Sequence, residues 1–377
     1  MKKLNINKFI IIALTLLCFS SFAQKKGSAN IVGINHTINS KILKENRQIQ
    51  VYLPKDYRSS NKKYPVIYLL DGQRFFLYGA SLLQTFSEFN LTPNFIVVGI
   101  TNQQSTRMRT FSAGAKDFAE YLDNEVIHLI DANYRTSKKR LLFGWAYGGG
   151  FGIEVLLSKP KLFDGYILSS PFPVSSKMNQ FKKFIKKHKS LNTFIYFASD
   201  AKEFGVKEGT EELSSFLKMN TTNLRWSFKV LSGEEHRSTV YPALYHGIQE
   251  YFEYYKEISF QDFNEFKLKG GISYVRKYYT KRAELYDLPN KMSPFSRYDI
   301  IRKAIRANDF NGFEKLVSEF GSYKLIEKLR ANWACDIADF YVKNDKKQKA
   351  LKLYQFINKI FPTSIRGQKG LHSLLKK

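Results

Sequence analysis

Leu141-Leu142-Phe143-Gly144-Trp145-Ala146-Tyr147-Gly148-Gly149 reads as a short apolar strand, a turn flanked by glycines and the start of a helix running to about residue 158. Small residues belong at 144 and 148, because a strand that reverses sharply into a helix brings backbone against backbone. The spacing Gly-x-Ala-x-Gly matches a nucleophile elbow, Gly-x-Ser-x-Gly, with Ala146 where the attacking serine would stand. A methyl group cannot attack a carbonyl, so the acyl-enzyme route is closed at this position. A phosphate-binding loop is the other use of such a turn, but it would carry a lysine, and this turn has none.

Working outward, residues 48–53 alternate polar and apolar side chains, as a half-buried strand does. The runs 66–70, 95–100, 141–143, 166–168, 194–197 and 228–231 are apolar almost throughout. Strands apolar on both faces belong to a parallel sheet covered by helices, and helical stretches at 116–132, 147–158, 208–218 and 241–256 separate these runs. The alternation predicts a doubly wound α/β domain over residues 24–258. After about residue 260 the β signal stops, and 259–377 is expected to be a small all-helical domain, with helices at 272–287 and 297–330 before a final hairpin. Ala338, Tyr341, Ala350, Tyr354 and Pro362 stand at tetratricopeptide-like (TPR-like) offsets, although an ordinary helical hairpin accounts for them too.

Nucleophilic chemistry at an elbow needs a base, an acid that orients it and two amide donors for the oxyanion. His236 follows the last apolar run and precedes the final helix of the α/β domain, where a general base belongs. Glu203 and Asp200, both just after the 194–198 run, are the candidate acids, with Glu203 favoured. Tyr147, next after the elbow position, and Gln73, in the Asp71-Gly72-Gln73 turn, would supply the oxyanion amides. Asp71 alone could be a simple turn former. Ser105, Ser112 and Ser199 are the serines that could replace a missing nucleophile, but none lies on an elbow. His36, His128 and His246 read as structural. Arg107 and Arg109 would either meet an anionic ligand near the cleft or lie on the surface.

Lys2, Lys3 and Lys8 precede the apolar run 9–17 and the small residues up to Ala23, the pattern of a cleavable signal peptide over 1–23. The apolar run is shorter than the ~20 residues of a spanning helix, so a periplasmic or extracellular location is expected. Cys335 would then be the one cysteine of the mature chain, which excludes an internal disulfide. The net charge of +27 is spread over all segments without aromatic interleaving, which reads as a solvated basic surface attractive to anionic substrates or envelope polymers; no nucleic-acid partner is expected.

The segments Tyr52-Leu53-Pro54, Tyr64 to Gly72, Val97 to Ile100, Arg107-Met108-Arg109, Tyr134-Arg135-Thr136, the elbow and Gly233 to Ser238 together resemble the putative esterase family of α/β-hydrolases, which includes enterobactin-type siderophore esterases and feruloyl-esterase-like enzymes. The resemblance spans roughly residues 35–255 and implies a serine esterase that uses no metal or cofactor. It puts Ala146 at the nucleophile, His236 at the base, Glu203 at the acid and Tyr147 with Gln73 at the oxyanion hole. The family acid tends to follow a Gly-x-x-Glu/Asp pattern, and here Asp200 occupies the glycine position. The implied ligand is a small-molecule or glycan-linked ester. With Ala146, catalysis should be absent or severely reduced, whether the serine was lost in a natural pseudoenzyme or was replaced deliberately. The alternative is a non-catalytic binding protein that uses the cleft, with a protein partner on the helical tail.

Overall fold

The computed structural model describes residues 29–220 and 223–376, so the 1–23 leader expected from the sequence lies outside the described residues. Its sheet has eight strands: β1 (Ile34–Ser40), β2 (Glu45–Tyr52), β3 (Tyr64–Leu70), β4 (Ile96–Ile100), β5 (Thr136–Trp145), β6 (Gly165–Ser169), β7 (Phe194–Ser199) and β8 (Arg225–Val230). They lie in the order β1-β2-β4-β3-β5-β6-β7-β8. β1 and β2 pair antiparallel, β2 runs antiparallel to β4, and every later pairing is parallel. This is the doubly wound α/β-hydrolase architecture. β1 is an addition to the sequence reading; its residues alternate with a largely exposed face, so no apolar run marks it.

The crossovers include α1 (Gly72–Glu88), α2 (Arg107–Phe111), α3 (Ala115–Tyr121), α4 (His128–Asn133), α5 (Tyr147–Ser158), α6 (Met178–Lys187), α7 (Lys207–Met219) and α8 (Val240–Tyr251). A single π turn, Leu122–Ile127, links α3 to α4, so the expected helix 116–132 is one rod with a wider turn inside it. Because side chains alternate along a strand, the two faces of the sheet carry separate cores. Ile67, Leu69, Val97 and Phe143 meet α1 and α8, while Tyr68, Leu70, Val98 and Leu142 meet Phe118, Tyr121, Phe151 and Phe181 on the other face. That double burial is why these strands read as unbroken apolar runs.

Beyond Val240 every element is helical: α9 (Phe263–Leu268), α10 (Gly271–Tyr286), α11 (Pro294–Arg306), α12 (Phe310–Phe320), α13 (Ser322–Ile326), α14 (Ala331–Lys343), α15 (Lys347–Ile360) and α16 (Ile365–Leu375). The stretch 297–330 is broken twice. Asp309 caps α12 by accepting from the Gly312 amide at 2.8 Å, and Gly321 takes φ 70° before α13. The helices share a core of their own that includes the fully buried Cys335 and the small Ala338 and Ala350 where α14 and α15 meet. Side chains of α10 tie this core to the sheet region: Tyr286 donates to the Tyr251 carbonyl, Arg282 to that of Tyr255, and Tyr278 to that of Lys256. Among the described residues no helix is long and apolar enough to cross a membrane.

Candidate active site

The carboxyl ends of the parallel strands β3, β5, β6, β7 and β8 lie along one edge of the sheet, the usual ligand position of an open parallel sheet. At the end of β5, Ala146 takes φ 54° and ψ −119°, a conformation a residue with a side chain adopts only at a cost of about 1–3 kcal/mol. Its backbone is pinned on both sides: its amide donates to the Ser169 carbonyl at 2.9 Å, and its carbonyl accepts from Gly150 and Phe172, each at 3.0 Å. Gly144 is required here, since a Cβ on it would lie 2.3 Å from the Gly148 carbonyl oxygen. Removing the Ala146 methyl relieves the strain, so Ala146→Gly is expected to raise stability by about 1 kcal/mol, read as a higher urea midpoint at unchanged slope.

His236 stands in the loop after β8, with Nδ1 2.5 Å from Glu203 Oε1. The other carboxylate oxygen of Glu203 accepts from the Ser170 hydroxyl and from the Asp200 amide, both at 2.8 Å. Asp200 instead turns its carboxylate to the Lys202 amide at 2.9 Å, closing its own turn. Of the two candidate acids, only Glu203 touches the imidazole. The carbonyl of His236 accepts from Trp145 Nε1 at 2.8 Å and from the Thr239 hydroxyl at 3.0 Å, and the Trp145 and His236 rings lie 4.9 Å apart. The imidazole therefore packs, at a tilt of 39°, against the indole of the residue next to Ala146.

Burial alone would raise the Glu203 carboxyl, but hydrogen bonds from His236, the Asp200 amide and Ser170 outweigh it and hold it below its usual range. A carboxyl depressed in the folded state stabilises fully above its unfolded value and loses that contribution as the pH falls through the folded value. Denaturation midpoints measured from neutral pH down into the acid range should fall more steeply for the parent than for Glu203→Gln, which has no carboxyl to titrate there. Parallel acid limbs would refute this account.

The two expected oxyanion donors are both at helix starts. Tyr147 is the first residue of α5 and Gln73 the second of α1, so neither amide has an intrahelical acceptor. The loop bearing Gln73 is held firmly: its side-chain amide donates to the Asn102 carbonyl at 2.9 Å and accepts from the Asn102 amide at 3.0 Å. Asp71, fully buried at φ 58°, is more than a turn former. Arg107 Nε lies 2.8 and 2.9 Å from its two carboxylate oxygens, and Arg107 Nη2 also donates to the Trp145 carbonyl at 2.9 Å. Arg107 is thus buried and not a surface residue, and it ties the β3 loop to the elbow.

Ser112 donates to the Met108 carbonyl and Ser199 is buried against Thr210. His36 bonds Tyr134, and His246 lies beside Lys229. Ser170, Thr239 and Asn102 were not anticipated from the sequence; Ser170 and Asn102 are polar residues just after strand ends, and Thr239 directly precedes α8. Among the described residues no group of three or more His, Cys, Asp or Glu could hold a metal ion.

The fold has counterparts. The ferri-bacillibactin esterase BesA of Bacillus subtilis is 27% identical over 241 residues, covering 53% of this chain and 83% of that protein. The siderophore triacetylfusarinine C esterase of Aspergillus fumigatus is 26% identical over 33% of this chain, which spans 50% of its length. Among solved structures, an IroE-like serine hydrolase from Shewanella oneidensis superposes with a TM-score of 0.58 at 24% identity, over 77% of this chain and all of that one. An uncharacterised protein from Capnocytophaga ochracea gives 0.67 at 17% identity over 92% of this chain and all of that one, so its fold parallel extends through the helical tail. Residues 40–256, more than half the chain, match the family described as Putative esterase, and the chain belongs to that family.

Proposed function

We propose that this protein is an exported, esterase-type α/β-hydrolase whose cleft binds a small-molecule ester and, with Ala146 in the nucleophile position, holds it without forming an acyl intermediate. The elbow backbone carries this reading: alanine gains nothing from φ 54° and ψ −119°, a geometry that serves to project a side chain into the cleft beside His236. The Glu203–His236 pair supports it, because a carboxylate on Nδ1 keeps that nitrogen protonated and leaves Nε2 with the lone pair of a general base. Tyr147 and Gln73 are the proposed oxyanion donors. Relatives named as siderophore esterases make siderophore-type esters the first ligands to try. Export rests on the basic start and apolar run of residues 2–23.

The test is a calorimetric titration of the purified mature chain with 4-nitrophenyl butyrate, followed for nitrophenolate. Binding with release at the buffer rate is the expected result. Turnover by the alanine form, abolished by Ser112→Ala or Ser199→Ala, would overturn it in favour of another nucleophile.

A further inference from the structure

Arg74 and Arg107 both lie beside the Trp145 ring, and only Arg107 is paired with a carboxylate. Arg107 is spent on the buried carboxylate of Asp71. Arg74, on the first turn of α1 and next to Gln73, is exposed; its guanidinium donates to the neutral side chain of Gln104 and has no carboxylate partner among the described residues. Its Cζ lies 5.8 Å from the centre of the Trp145 ring, the same ring that packs at a tilt against His236. The acid of the site, Glu203, is hydrogen-bonded to His236, Ser170 and the Asp200 amide and makes no ion pair with Arg74. The N-termini of α1 and α5 both open at this point and add partial positive charge of the same sign.

We propose that Arg74 is a specificity-determining residue and that the ligand of this cleft is an ester carrying a negative group, a carboxylate or phenolate, beyond its reacting carbonyl. This rests on the esterase reading above. Gln104 fixes the guanidinium over the indole, so its remaining N–H donors are available to an anion lying across the Trp145 face. A cation held by a neutral partner keeps its full charge for a ligand, whereas one paired like Arg107 does not.

The test compares mono-4-nitrophenyl glutarate, which is anionic, with 4-nitrophenyl butyrate, which is neutral, in the Ala146→Ser background. Arg74→Gln is expected to lower the glutarate-to-butyrate ratio of kcat/KM about tenfold, mainly through KM, because a charge-assisted hydrogen bond is lost. Arg74→Lys should keep part of the preference. Arg306→Gln, a change of an exposed arginine in the helical tail, should leave the ratio alone. An unchanged ratio in Arg74→Gln overturns the proposal while leaving the esterase reading in place. Should the serine form cleave neither probe, the alanine chain is titrated with the glutarate half-ester: Arg74-dependent binding then sustains this proposal and places the loss of catalysis in the base, the acid or the oxyanion hole, and binding indifferent to Arg74 overturns the proposal itself.

Discussion

Ala146→Ser should raise cleavage of a short-chain nitrophenyl ester by about 10³-fold or more over the alanine form. The hydroxyl would stand on a backbone already held at φ 54° by three hydrogen bonds, so its insertion requires no rearrangement of the elbow. His236 Nε2 would take the proton as the oxygen attacks, and Glu203 on Nδ1 would stabilise the imidazolium that results. The tetrahedral oxyanion would be met by the amides of Tyr147 and Gln73. The proton then passes from His236 to the leaving nitrophenolate, and water releases the acyl group by the same steps. Adding His236→Ala to the serine form should cancel the gain. A well-folded serine form that releases nitrophenolate no faster than its parent would mean that the base, the acid or the hole is also impaired.

Breaking the Asp71–Arg107 pair should be the most damaging single change to stability, at about 3–5 kcal/mol, because it strands a charge where water cannot reach it. Asp71 is fully buried and Arg107 nearly so, and the bond to the Trp145 carbonyl means that the pair also fixes the distance between the two loops expected to supply the oxyanion amides. Arg107→Ala leaves a bare carboxylate, and Asp71→Ala leaves a bare guanidinium; urea denaturation of each should show the loss. The double variant Asp71→Ala with Arg107→Ala should be less destabilised than the sum of the two single changes, since the stranded charge is gone. Strict additivity would indicate that the two residues act independently. In the Ala146→Ser background, the same variants should lose activity even where they remain folded, because the β3 loop is no longer tied to the elbow.

The elbow was legible because it is local: a strand, a glycine-flanked turn and a helix lie within eighteen residues, and each reads from spacing alone. The parallel strands were legible for a related reason, since burial on both faces writes an unbroken apolar run. β1 was not, because one of its faces meets water and its residues are mixed. The breaks in 297–330 were hard to see because Asn308-Asp309 and Gly321 act through backbone angle and capping, against a helical period that continues across them.

The acid shows where sequence runs out. Asp200 and Glu203 are three residues apart after the same strand, and nothing in their order says which side chain reaches the loop after β8. The turn decides it: Asp200 closes the turn on the Lys202 amide, while the longer Glu203 extends to His236 and is held there by Ser170 from the end of β6. Arg107 was likewise undecided between ligand and surface, and its partner Asp71 is 36 residues earlier. By itself, then, the sequence determined the α/β architecture, the helical tail, the elbow and its missing hydroxyl, since these rest on contacts between near neighbours. Only the tertiary structure decided which carboxylate meets the imidazole and which arginine is paired with a buried carboxylate, because each choice depends on groups brought together from different strand ends.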